Sequence, residues 1–373
     1  MMRRTIAAGW DHSAFIDVEG FVWLCGHNEC GELGLGDKQK RDKPTLRNLL
    51  PPIISVTLGH ANTLLLDEQG SVWVCGNNVE GQLGIGDTIS RILPEKIPDL
   101  PPIQDIVCQY QHSIFLDISG GVWSCGRSLY NQLGVPDATK GSNLRPRQIK
   151  TLPTIKAISC GSSFSLFLDY NGDVWGCGNN SHGQLGNLKT NLTIPEKISS
   201  LSRISCIGCG LLHAILLDKD GAVWALGSNA KGQLGVGDLV GRRVPEKIVT
   251  LPKVAYVHCG IYHSLFLADD GSVWGAGENA FGELAVEETS NIVSPKQFET
   301  LPPIESLSGG GFFSIFLDFE GKAWACGLNI HGQLGIGSDP TGIVTPIMLH
   351  DLPQIHRAIF KGFGTKNARN TAD

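Results

Sequence analysis

Tryptophan recurs at a nearly constant interval along the chain, and this period constrains the fold more than any other feature. A glycine stands three residues before and three residues after each tryptophan of the series, and a leucine follows ten residues after it. The series is Trp23, Trp73, Trp123, Trp175, Trp224, Trp274 and Trp324, with spacings of 50, 50, 52, 49, 50 and 50 residues. Seven copies of one unit predict a closed or stacked array that forms a single domain.

One copy, residues 152–198, shows what the unit folds into. It contains four short segments with β character, at 155–160, 165–168, 174–177 and 193–198, separated by an Asp-Gly turn and a glycine-rich loop. Pro195 in the fourth segment suits the edge of a sheet, and no long segment keeps a helical period. Four antiparallel strands in about 50 residues, repeated seven times, predict an all-β fold, a seven-bladed β-propeller. We expect this domain to span residues 1–364 and residues 365–373 to be a disordered tail.

The first strand of the unit occurs eight times, although seven blades need only seven. The extra copy comes from the two ends of the chain, which carry "RRTIAAG" and "LPQIHRAIFKG". A propeller must pair its last blade with its first to remove open edges. We therefore expect one terminal copy to complete a blade and the other to lie loose or to serve a neighbouring blade.

The content of the repeat also separates candidate families. WD repeats are shorter, at about 40 to 45 residues, and the paired glycines that kelch repeats carry at a strand end are found here only at residues 309–311. By contrast, "CGIYHSLFLADDGSVWGAGENAFGEL" closely resembles the repeat of the regulator of chromosome condensation family, whose members are seven-bladed propellers. The resemblance covers essentially residues 2–362.

This resemblance implies several functions, because the family includes an exchange factor for the small GTPase Ran and propeller modules of large ubiquitin ligases. The exchange factor presses one propeller face and a β-wedge against its GTPase, assisted by acidic and histidine loop residues. The Gly-x-x-His loops of this sequence match those contacting loops in position, with Asp11 as their one acid. The spacing of the copies leaves no room for a wedge hairpin.

Composition narrows the class of partner and the compartment. The net charge is -6, which does not suit a phosphate-binding surface, so nucleic acid is an unfavourable partner. No run of about 18 apolar residues occurs, and the first residues lack the pattern of a signal peptide. The eleven cysteines fall mostly at predicted buried positions. Free buried thiols indicate a reducing compartment, cytoplasmic or nuclear.

Several side chains invite a catalytic or metal-binding interpretation, and each has a structural alternative. Cys206, Cys209 and His213 are spaced like metal ligands, but the two cysteines lie on a predicted strand and point to opposite faces. The glycine-rich loops lack the lysine of a phosphate-binding loop. Acidic residues of the sixth copy are interpreted as a solvated rim: Glu278, Glu283, Glu287 and Glu288. We therefore expect no catalytic residue, cofactor or metal.

Binding of a protein partner is the function that remains. In each copy two loop residues precede the position held by His12, and many of these pairs are aromatic or aliphatic, as in a protein interface. The alternative is that they pack on one another at the channel mouth. The predicted contact residues are Trp10, Asp11, His12, Tyr110, His112, Leu211, His213, Ile261, Tyr262, His263 and Phe312. Three functions stay open: a protein-binding scaffold, a regulator or exchange factor for a Ran-like GTPase, and an enzyme such as a lyase or hydrolase.

Overall fold

Seven four-stranded antiparallel sheets form the regular structure of the described residues in a computed structural model of the chain. The structure describes residues 4–136, 141–187, 189–198, 201, 203–337 and 342–356. Each sheet uses four strands that follow one another in the sequence, and hydrogen bonds join the seventh sheet to the first, from Ala8 N to Ser308 Oγ at 3.0 Å and from Gly311 N to Gly9 O at 3.0 Å. The sheets are the blades of a closed seven-bladed propeller, as the repeat predicts.

The strand bounds follow the repeat in every copy. Blades one to seven comprise, in order, β1 to β4 (Ile6–Ala8, His12–Ile16, Val22–Gly26, Arg41–Arg47), β5 to β8 (Ile53–Leu58, Asn62–Asp67, Val72–Gly76, Arg91–Lys96), β9 to β12 (Ile103–Gln109, His112–Asp117, Val122–Arg127, Ser142–Gln148), β13 to β16 (Ile155–Cys160, Phe164–Asp169, Val174–Asn179, Asn191–Lys197), β17 to β20 (Ile204–Cys209, His213–Asp218, Val223–Gly227, Arg242–Ile248), β21 to β24 (Val254–Cys259, His263–Ala268, Val273–Gly277, Ile292–Gln297) and β25 to β28 (Ile304–Gly309, Phe313–Asp318, Ala323–Gly327, Ile343–Met348).

The two edges of each blade are treated differently. The first strand lines the central channel, and the fourth strand is the outer edge. Every outer strand carries a proline, which lacks the N–H that another chain would pair with. These prolines are Pro44, Pro94, Pro146, Pro195, Pro245, Pro295 and Pro346.

The apolar core is divided among the contacts between neighbouring blades. Between blades one and two, for example, Ile16 and Leu24 are buried against Val56 and Leu65. Each of the other junctions has an equivalent cluster. Because strands are buried on both faces, a blade is stable only between its neighbours.

An aspartate six residues before the tryptophan fixes the hairpin that joins the second and third strands. In blade one, Asp17 Oδ1 accepts hydrogen bonds from Glu19 N and Phe21 N, and its Oδ2 accepts one from Trp23 Nε1 at 2.9 Å. The same bond occurs in five further copies. Blade six is the exception, since Ala268 replaces the aspartate and Trp274 Nε1 donates to Ser272 Oγ at 3.2 Å.

Both ends of the chain close the ring, which corrects the expectation that one terminal copy would suffice. The N-terminal copy supplies β1, the inner strand of blade one. Ile355 from the other end pairs with Asp17, as Ile53 pairs with Asp67 in blade two. His356 N also donates to Ile16 O at 2.9 Å. The inner strand of blade one therefore begins with Ile355 and continues with Thr5. The remainder of the C-terminal copy and the predicted tail at 365–373 lie outside the described residues.

No helix in the described part of the chain has the length and apolar character needed to cross a membrane.

Candidate partner-binding face

Two loops of every blade meet on one face of the propeller, as predicted. In blade one, His27 N donates to Asp11 O at 2.9 Å, and in blade six Glu278 N donates to Tyr262 O at 3.0 Å. The close approach requires glycine at the end of the third strand: Gly26 has a φ of +107°, and a Cβ there would lie 2.4 Å from Asp11 O. We call this side, formed by the loops between first and second strands and between third and fourth strands, the loop face.

Backbone hydrogen bonds fix the loops around the channel mouth. Trp10 N donates to Gly59 O at 3.1 Å, and Ile261 N donates to Gly310 O at 3.0 Å. Leu211 N donates in the same way to the carbonyl of Ile261 at 3.1 Å. The side chains of these loops are therefore displayed from a rigid ring, which suits a preorganised interface.

The histidines predicted as contact residues are buried between blades, which corrects that prediction. The side chains are at most 1% exposed at all four positions: His12, His112, His213 and His263. In a typical case, Ser264 Oγ donates to Gln233 O at 2.7 Å, so the hydroxyl oxygen accepts from His213 Nε2 at 2.9 Å. Burial lowers the pKa of His213 to about 3, so its ring is neutral. A buried neutral imidazole holds two blades together and does not reach a partner.

The departure from histidine in blade four fits the same structural role. Phe164 takes the position in blade four, and the next blade carries Ala214 where the others have a hydroxyl. An apolar ring facing a methyl group leaves no donor unpaired. This column is therefore a packing feature, in agreement with the structural interpretation of the sequence.

Three rings from blades one to three form a continuous aromatic cluster on the loop face. The ring centroids of Trp10 and His60 are 4.6 Å apart, those of His60 and Tyr110 are 5.4 Å apart, and those of Trp10 and Tyr110 are 6.3 Å apart. Tyr110 has a φ of 53°, a conformation that costs a bulky residue free energy. We call Trp10, His60 and Tyr110 the aromatic cluster.

A second set of rings lies on blades six and seven. Phe312 is 6.2 Å from Tyr262 and 5.5 Å from Phe281, measured between ring centroids. Of the remaining predicted contact residues, Leu211 is half-buried. Ile261 is only 3% exposed, so it packs at the channel mouth and is not available to a partner.

Exposed apolar side chains in the second set of loops extend this surface, and they are absent from the sequence-based prediction. Val79 is 59% exposed, Leu129 57% and Ile330 46%. Each directly follows the buried Asn or Ser that begins the loop. An apolar residue at this place in an otherwise polar loop is the sequence feature from which its exposure could have been predicted. With the two aromatic groups they form an apolar arc over blades six, seven, one, two and three. Blade four presents Ser163, Asn179, Ser181 and His182 on the same face.

Titratable groups surround the aromatic cluster at blade one. His27 Nδ1 lies 2.5 Å from Glu32 Oε1, and its ring centroid is 4.9 Å from that of His331. The hydrogen bond that His27 Nδ1 donates to Glu32 raises the pKa of His27. Burial raises the pKa of Asp11, and the nearby rings of His331, His27 and His60 oppose this rise. Blade one therefore adds charge to the apolar arc.

The acidic residues of blade six differ from the predicted solvated rim. Glu287 and Glu288 are exposed, but Glu283 is fully buried and Glu278 is 7% exposed. Glu278 Oε1 lies 2.5 Å from Lys231 Nζ. One oxygen of each carboxylate, Glu278 Oε2 and Glu283 Oε1, has no hydrogen-bond partner in the described part of the chain. Burial raises the pKa of Glu283 to about 7.

The central channel contains a cavity of about 90 Å³ lined by the inner strands. Arg4 crosses part of it, with Nη1 2.5 Å from Asp105 Oδ1 and 3.0 Å from Ile106 O. Four cysteines of consecutive blades also line it: Cys108, Cys160, Cys209 and Cys259. Burial raises the pKa of Cys209 to about 12, so this thiol is protonated and a poor metal ligand. Among the described residues no three His, Cys, Asp or Glu side chains are arranged to hold a metal ion.

The sequence profile of the RCC1-like domain matches residues 102–366. The chain belongs to this family. Profiles of the regulator of chromosome condensation (RCC1) repeat match residues 19–66 and 69–116, and a second RCC1 repeat profile matches residues 53–82. The RCC1-like assignment therefore extends over both halves of the ring. No curated protein matches the sequence.

Solved structures share the fold of this RCC1-like propeller. Yeast RCC1 (Prp20), solved bound to Kap60, is 24% identical with a TM-score of 0.82, over 94% of this chain and 85% of that one. The structure of Prp20p from Saccharomyces cerevisiae was described together with its binding properties to Gsp1p and histones. Prp20p is 25% identical to this chain with a TM-score of 0.81, and the match covers 90% of this chain and 87% of Prp20p. Human WBSCR16 is 22% identical with a TM-score of 0.74, and the match covers 82% of this chain and 85% of that one.

Proposed function

We propose that this RCC1-like propeller is a binding scaffold that engages a protein partner through the apolar arc of its loop face. The observation that carries the proposal is that Leu129, Phe281 and Ile330 are exposed, and Trp10 partly exposed, on loops of one closed propeller. Exposed apolar groups on a rigid surface, with polar residues beside them, are typical of protein interfaces. The binding of Gsp1p and histones by the similar Prp20p supports a protein as the partner.

Affinity capture from cell lysate tests this proposal. The test variant carries Trp10→Ala and Tyr262→Ala, which remove one large anchor from each of the two aromatic groups of the arc. The matched control carries Ile118→Ala and Tyr170→Ala in turns of the opposite face, where both side chains are 64% exposed. We expect the test variant alone to lose its captured partner. Loss in the control alone would move the interface to the opposite face.

Regulation of a small GTPase is the second candidate, and the titratable groups of blades one and two favour it. Asp11, His27 and His60 lie together on the loops that correspond in position to the contacting loops of the Ran exchange factor. The assay is release of a fluorescent GDP analogue from a Ran-like GTPase. Acceleration by the parent protein and its loss in Asp11→Ala would support exchange activity. No acceleration at micromolar protein would refute it.

The proposed compartment is reducing, either cytoplasmic or nuclear. All eleven cysteines are free thiols and nine of them are buried, which is typical of proteins outside oxidising compartments.

A further inference from the structure

We propose that the apolar arc receives an arginine side chain of the partner, with the guanidinium lying on the aromatic cluster and bonded to Asp11. The inference rests on the proposed function and adds the chemistry that the partner must present at blade one.

The Asp11 carboxylate is the one acid of the channel-mouth loops, and it is half-buried beside Trp10. No hydrogen bond or ion pair to this carboxylate is formed within the described residues. Acids at the outer end of the same face differ, because Asp37, Asp87 and Asp238 are each within 2.7 Å of an arginine of their own blade. A half-buried carboxylate without such a partner is matched by a cation from outside.

Histidine rings lie near Asp11 but do not bond its carboxylate. His331, His27 and His60 all act on this carboxyl group, with His331 the largest effect. His27 is already engaged, because its Nδ1 is hydrogen-bonded to Glu32 and its Nε2 lies 3.8 Å from Glu29 Oε2. Within the described residues none of the three rings is hydrogen-bonded to Asp11, so both carboxylate oxygens can accept from a guanidinium.

The aromatic cluster distinguishes arginine from lysine. A guanidinium is planar, stacks on indole and phenol rings, and bonds a carboxylate through two N–H groups at once, whereas an ammonium does neither as well. The rings of Trp10 and His60 pack edge to face at 4.6 Å, so they leave no cage between them for an alkylated ammonium. The strained φ of Tyr110 indicates that this ring is held on the loop face at a cost to folding.

The test uses three short peptides, acetyl-Ser-Gly-X-Gly-Ser-amide, in which X is arginine, citrulline or lysine. Citrulline keeps the shape of arginine but has no charge. Binding is followed by fluorine NMR of protein labelled with fluorotryptophan, in which Trp10→Phe assigns the Trp10 signal. We expect the arginine peptide to shift that signal and to bind about tenfold more tightly than the citrulline peptide, with lysine between them.

Two variants decide whether Asp11 is the acceptor. Asp11→Asn should reduce the preference for arginine over citrulline, while Glu68→Gln, which changes an exposed acid on the opposite face, should leave it unchanged. Equal binding of arginine and citrulline peptides, or an unchanged preference in Asp11→Asn, would overturn the inference.

Failure of this inference is separable from failure of the proposed function. If the peptides do not discriminate but Trp10→Ala with Tyr262→Ala still loses the captured partner, the arginine chemistry is wrong and the scaffold function stands. If arginine binds at Asp11 and capture is unaffected by that double variant, the proposed interface is wrong.

Discussion

Replacing Glu283 with glutamine should make the propeller more stable at alkaline pH. Five of the seven copies have glutamine at this position, where its Oε1 accepts a backbone N–H, as Gln233 does from Lys231. Glu283 Oε2 accepts the same bond from Phe281 N, but its Oε1 is buried without a partner. Glutamine keeps the accepting oxygen and removes the charge.

The magnitude follows from the pKa of Glu283. Burial raises this pKa from its ordinary 4.5 to about 7. Between these values the folded protein holds a proton that the unfolded chain has lost, so stability falls as pH rises through the window. At 1.36 kcal/mol per pKa unit, the loss is about 3 kcal/mol between pH 4.5 and pH 8. The Glu283→Gln variant should lack this loss.

Urea denaturation at pH 5 and at pH 8.5 measures the effect. We expect Glu283→Gln to match the parent at pH 5 and to exceed it by about 3 kcal/mol at pH 8.5.

Glu32→Gln is the matched control, because Glu32 has the same position in blade one. Burial raises the pKa of Glu32, but the hydrogen bond from His27 and the nearby charge outweigh this and lower it. The ionised Glu32 carboxylate therefore stabilises the folded protein at pH values above its pKa in the unfolded chain. This stabilisation is lost as pH falls through its lower pKa in the folded protein. Glu32→Gln should destabilise the fold at neutral pH. Equal effects of the two substitutions, or a pH dependence unchanged in Glu283→Gln, would refute the reasoning.

Three further substitutions test the blade contacts and the aromatic cluster. Ser264→Ala leaves His213 Nε2 and a buried carbonyl without partners, and should cost about 1 to 3 kcal/mol in urea denaturation; an unchanged midpoint would show that this hydroxyl does not join the blades. Ala268→Asp restores the aspartate acceptor of the other copies in place of Ser272 Oγ, the acceptor of Trp274 in the parent protein, and should add about 1 kcal/mol; a lower melting temperature would contradict the proposed Asp–Trp role. Tyr110→Gly removes a strained φ and should stabilise the fold by about 1 kcal/mol, while partner capture weakens; loss of stability would show that the ring packs instead of binding.

Features that repeat could be predicted from the sequence, because each copy supports the others. The tryptophan period indicates four strands per unit, and Pro195 and its equivalents mark the outer edges. The Asp–Trp bond was also within reach, since an aspartate stands six residues before the tryptophan in all copies except that of Ala268. Such local patterns depend on residues within one blade.

Features that depend on two blades could not be predicted. The burial of His213 depends on a hydroxyl 51 residues away, and the burial of Glu283 depends on the neighbouring blades. Which chain end closes the ring was ambiguous for the same reason. Ile355 and Thr5 lie in segments that each resemble the first strand of the repeat, and only the closed ring brings them together in the inner strand of blade one. The exposure of Leu129 is likewise a property of the assembled face.

Departures from the repeat therefore say more about function than the repeat itself. A ring of equivalent blades gives each position the same packing role, so a residue that breaks the pattern without serving packing must be retained for another reason. Trp10, Tyr110 and Glu283 are such residues, in blades one, three and six, and the apolar arc that spans these blades includes blade one, where both chain ends meet. A partner that covers the apolar arc would cross this junction and bind only the closed ring. Its binding free energy would then add to the stability of ring closure, which links partner engagement to the one blade that is not built from a single continuous segment.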